Sequence, residues 1–73
     1  MTDFPQYRKY VGIDTWFKIE SANQFTEIKR VGEKLVRTEV KAEQFPELNF
    51  IQDMLECKEN RWVKIRQEDF DLL

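Results

Sequence analysis

The sequence predicts a two-layer α+β fold, a mainly antiparallel four-stranded sheet with two helices on one face, in the order β-β-α-β-α-β plus a short C-terminal element. Three observations carry that prediction. Residues 16–20 and 35–42 alternate apolar and polar side chains, the period of a half-buried strand. Residues 25–31 and 48–57 carry apolar side chains at helical spacing. Glycine, asparagine and proline fall between these runs, where the chain must turn.

Residues 1–6 read as an arm, with Phe4-Pro5 positioned to tack it to the body. Tyr7-Arg8-Lys9-Tyr10-Val11, aromatic and alternating, makes a first strand. Gly12-Ile13-Asp14-Thr15 supplies turn residues for a hairpin into Trp16-Phe17-Lys18-Ile19-Glu20. Ser21-Ala22-Asn23-Gln24 fits a helical capping box, in which the Ser21 hydroxyl accepts from the Gln24 N–H. Phe25, Ile28 and Val31 follow at spacings that one face of a strand cannot hold and a helix can. Gly32 stands where a left-handed residue would end that helix.

Leu35 to Ala42 then alternates strictly, with Val36, Thr38, Val40 and Ala42 on one side. Pro46 marks a break or a helix start. From there to Cys57 the apolar residues Leu48, Phe50, Ile51, Met54, Leu55 and Cys57 fill one half of a helical circle, and Asn49, Gln52, Asp53 and Glu56 occupy the other. As a strand, the same segment would put Asp53 on the buried face between Ile51 and Leu55. The helix is the better fit. Lys58-Glu59-Asn60 is a turn, and Arg61 to Arg66 alternates again, with Val63 and Ile65 inward. Residues 67–73 end the chain as a short helix or docked tail, in which Phe70 and Leu73 close the edge of the core.

The 73 residues make a single domain, 1–73, near the lower limit for an independent core. With 41% apolar and 14% aromatic residues such a core is feasible, and the mixed signs of the charged residues argue against disorder. A net charge of −2 excludes a general attraction to nucleic acid or anionic lipid. No apolar run is long enough to span a membrane, and no secretory signal pattern opens the sequence. One cysteine, Cys57, forms no intrachain disulfide, so a reducing cytoplasm is the expected setting. Its place on the apolar arc predicts a buried, inert thiol.

Histidine is absent, which removes the commonest general base, imidazole metal ligand and pH switch together. Ser21 lacks a base to activate it, and the carboxylate pairs lie in helical or terminal segments without a cleft. No spacing matches a zinc, calcium or phosphate-loop motif. The expected chain is non-catalytic, without cofactor or metal.

What remains is a surface. If Phe17, Ile19, Val36, Thr38, Val40, Val63 and Ile65 face inward, then Trp16, Lys18, Glu20, Leu35, Arg37, Glu39, Lys41, Trp62, Lys64 and Arg66 face outward. Five of those ten are basic and two are tryptophans, while most acidic residues fall on helices, turns and tail. The candidate partner-binding residues are therefore Trp16, Lys18, Arg37, Trp62, Lys64 and Arg66. Such a face accepts an acidic protein segment or a second copy of the chain, as expected of a small accessory or adaptor subunit. Single-stranded RNA or DNA is the alternative, because aromatic platforms interleaved with Lys and Arg stack bases and neutralise phosphate. A third account needs no partner at all: the two indoles are cross-strand neighbours, sheathed by Lys and Arg stems, that stabilise the sheet. The acidic C-terminal Glu68-Asp69-Phe70-Asp71-Leu72-Leu73 also has the composition of segments that fold into partner grooves.

Overall fold

The computed structural model describes residues 3–73. Strands β1 (Gln6–Tyr10), β2 (Thr15–Ser21), β3 (Gln24–Val31) and β4 (Lys34–Lys41) run as a meander. Helix α1 (Phe45–Glu56), a tight turn at Lys58–Asn60, strand β5 (Trp62–Lys64) and helix α2 (Gln67–Asp71) complete the chain. The expected class is present, an α+β domain, but its antiparallel sheet has five strands, in the order β4-β3-β2-β1-β5. Residues 1 and 2 of the expected N-terminal arm lie outside the described residues, and the rest of it leads directly into β1.

The segment expected as a first helix, Phe25 to Val31, is strand β3. Its two-residue turn, Ala22-Asn23, sits between the paired residues Ser21 and Gln24. Ser21 Oγ accepts from the Asn23 N–H (3.3 Å) and donates to Asn23 Oδ1 (2.7 Å), so the hydroxyl stabilises a hairpin rather than a helix start. Gly32 has φ +65° at the first position of the β3–β4 turn, where a II′ turn requires a glycine. The spacing misleads for a physical reason. Residues three apart point to opposite faces of a strand, and here both faces are covered. Phe25 enters one layer and Ile28 the other.

Those two layers also separate the helices, expected on one face. On the first face Phe17, Ile19 and Phe25 pack with Ala42 and with Ile51, Met54 and Trp62. Tyr10, Phe17, Phe25, Phe50 and Trp62 form a continuous aromatic cluster there, with neighbouring ring centroids 5.1–6.0 Å apart. Burial, then the nearby Glu27 charge, pushes the Tyr10 phenol above its ordinary value, against the opposing pull of Arg61. The second face carries Tyr7 and Ile28, covered by Phe70 of α2, with Trp16 and Ile65 alongside.

Helix α1 is the predicted second helix, with Pro46 in its first turn and Ile51 and Met54 buried. It ends at Cys57, whose left-handed conformation (φ 50°) lets its N–H bond back to the Met54 carbonyl. Cys57 is half-buried against the aromatic core rather than enclosed. No basic side chain occupies the last turn of α1. The buried guanidinium of Arg8, reaching from β1, supplies that charge: Nε donates to the Met54 carbonyl (3.0 Å) and Nη2 to that of Leu55 (3.2 Å).

Of the two forms expected for the C-terminal element, the structure has the short helix. Phe70 is its anchor, with its ring centroid 5.4 Å from that of Tyr7, whereas Leu73 is left exposed. The carboxylate of Asp69 accepts from the Arg66 backbone N–H (3.2 Å), and this bond, with the Arg66 side chain, holds its pKa below the ordinary aspartate value. A depressed folded pKa stabilises the folded state above the unfolded pKa and ceases to do so as pH falls through the folded one. Acid titration should therefore loosen α2 below the normal carboxylate range. In an Asp69→Asn variant that acid-dependent change at Phe70, followed by NMR, should be reduced.

Candidate functional site

Strand pairing settles where each candidate residue sits, because directly opposed residues share a face. Trp16 opposes Ile28, and Ile28 opposes Arg37; Lys18 opposes Thr26. Trp16, Lys18 and Arg37 thus lie together on the α2 face of the sheet, as expected.

The other three do not join them. Trp62 pairs with Tyr10 and points into the aromatic core, only 2% exposed. Val63, expected inside, is the exposed neighbour at 45%. Strand β5 has three residues, too few for a period of its own, and burying a large indole outweighs burying one valine. Lys64, opposite Arg8, is exposed on the α1 face. Arg66 stands at the start of α2, within 3.6 Å of Glu68 and 3.5 Å of Asp69.

Two residues outside the expected set complete the surface. Lys9 opposes Trp16, and its Nζ lies 5.8 Å from the ring centroid. Arg30 Cζ lies 5.9 Å from the same ring. Both cations are tethered. Lys9 Nζ donates to the Tyr10 and Ile13 carbonyls, and Arg30 Nε bonds Asp14 Oδ2 at 3.1 Å. Lys9 was detectable from the period of two, which puts it on the face of Tyr7. Arg30 was hidden by the helical reading of its segment.

The result is a half-buried indole clasped by two fixed cations, with Lys18, Arg37 and Lys41 further along the same face. Among the described residues, Lys18, Arg37 and Lys41 make no ion pair. No cavity opens among the described residues, and no cluster of three potential metal ligands forms. The face offers positive charge and one half-buried indole beside α2. No helix of the described residues is long and apolar enough to cross a membrane. Comparison with known proteins yields no match, whether to a family model, a curated protein or a solved structure.

Proposed function

We propose that the chain is a non-catalytic, protein-binding accessory module that engages an acidic segment of a partner through the sheet face around Trp16. The observation that carries this reading is the set of cations Lys18, Arg37 and Lys41, which make no ion pair among the described residues and are spread beside one half-buried indole on the same face. Fixed cations over a half-buried indole combine apolar surface with positive potential, a combination suited to carboxylates flanked by apolar groups. A single-stranded nucleic acid fits this face less well. Trp62, the second stacking platform that reading needs, belongs to the core, and Trp16 already has cations over its ring.

The test is affinity capture from native cells, with and without nuclease, using the unaltered chain and Lys18→Glu and Lys41→Glu variants. A protein should be retained after nuclease treatment. Each reversal should weaken its binding by ~1 kcal/mol or more, with the melting midpoint nearly unchanged. Loss of the captured material on nuclease treatment, with a steep linear fall of log affinity against log salt, would instead identify nucleic acid. Unaltered affinity of both variants at low salt rejects this face as the docking surface.

A further inference from the structure

Strand β4 is a sheet edge of an unusual kind. It is eight residues long, it pairs with β3 without a break in register from Gln24↔Lys41 to Val31↔Lys34, and among the described residues no strand lies beyond it. Every residue in it except Val40 is exposed, including Leu35 (40%) and Val36 (47%). Soluble proteins usually blunt such an edge with a proline, a bulge, a covering element, a very short strand or charged side chains, lysine above all. The opposite edge is blunted in this way, since β5 has only three residues and leads directly into α2. On β4 the only one of these devices among the described residues is charge, and Lys34, Arg37, Glu39 and Lys41 are of mixed sign, so a strand of complementary charge is not repelled.

We propose that β4 pairs antiparallel with β4 of a second copy of this chain, about a two-fold axis at Thr38, to give one continuous ten-stranded sheet. The sequence Lys34-Leu35-Val36-Arg37-Thr38-Glu39-Val40-Lys41 is self-complementary in that register. Arg37 of each copy opposes Glu39 of the other, Val36 opposes Val40, and Thr38 opposes Thr38. Opposite charges, β-branched pairs and threonine pairs are the combinations that stabilise neighbouring strands. Face and register agree as well. Val36, Thr38 and Val40 lie on the α1 face in both copies, and Arg37 and Glu39 on the α2 face, so no apolar side chain changes layer.

Neighbouring registers lack this match. Centring on Arg37 sets that residue against itself. Centring on Glu39 sets Glu39 against itself and Arg37 against Lys41. Registers further along leave much of the strand unpaired. An isologous pairing of this kind closes at two copies. It shares Arg37 and Lys41 with the partner-binding reading above, but it rests on the open strand edge and is read out by oligomeric state rather than by partner capture.

Sedimentation equilibrium over a concentration series tests the proposal, with three variants of exposed residues: Arg37→Glu, Glu39→Arg, and the two combined. The unaltered chain should show a reversible monomer–dimer equilibrium. Each single variant turns both attractive pairs repulsive and should weaken it at least about ten-fold. The double variant restores complementarity and should regain the affinity to within about three-fold. An equimolar mixture of the two single variants is complementary across the axis and should associate where neither does alone. In the unaltered chain, hydrogen exchange should show concentration-dependent protection of the outward β4 amides. An unaltered chain still monomeric at about 1 mM overturns the proposal. So do single variants that dimerise normally, or a double variant as weak as either single one.

Discussion

Replacing Trp62 with alanine should destabilise the protein by about 3–5 kcal/mol, the range for truncating a buried aromatic residue. The indole stacks on Tyr10 at 5.3 Å and meets the Phe50 ring edge-on at 5.6 Å, with the Arg61 guanidinium 4.8 Å from its centroid. Losing it opens a cavity at the junction of β1, α1 and β5. A 73-residue domain has a total stability of roughly 4–11 kcal/mol, so this one change should remove a large fraction of it. Trp62→Phe is the informative companion. It keeps an aromatic ring in place and removes an indole N–H that is buried without a partner among the described residues, so it should cost less than half as much. Urea melts of both variants check the prediction. If Trp62→Ala melted like the unaltered protein, the indole would have to lie outside the core.

Met54→Asp should cost ~3 kcal/mol or more, because it places a carboxylate in a fully enclosed position among Phe17, Ile19, Phe25 and Ile51. Gln52→Asp, two residues earlier on the same helix, should stay within ~0.5 kcal/mol. Gln52 is exposed and donates from Nε2 to Glu56 Oε2 at 3.1 Å. An aspartate there exchanges that bond for a like-charge pair one turn apart, whose expected cost is a few tenths of a kcal/mol. The contrast isolates burial, since both variants introduce the same side chain into the same helix. Denaturant midpoints at unchanged slope measure it directly. Equal costs would contradict the orientation of α1.

Helix α1 was legible in the sequence, and the reason is local. A helix closes its hydrogen bonds within its own segment and buries one face, so Leu48, Ile51, Met54 and Leu55 spell out its orientation without reference to any partner. Strands β2 and β4 were legible for a related reason, because each alternates in sequence along its own length, and β1 was legible from its aromatic content. The turn-forming roles of Gly12 and Gly32, both with positive φ, follow from glycine's freedom there, although Gly32 ends a strand instead of a helix.

The tertiary structure alone decided the rest. β3 lies between β2 and β4 with a layer on each face, so Phe25, Thr26 and Ile28 are all buried and no alternation survives to mark it as a strand. β5 takes its parity from the pairing Tyr10↔Trp62, which sends Trp62 into the core and leaves the surface around Trp16 with one indole instead of two. Arg30 joined that surface only once β3 was paired with β2. The α2 helix found the opposite face from α1 through the packing of Phe70 against Tyr7 and Ile28. Each of these depends on which distant strand lies alongside and which layer lies above, and such non-local contacts leave no period in the residues that make them.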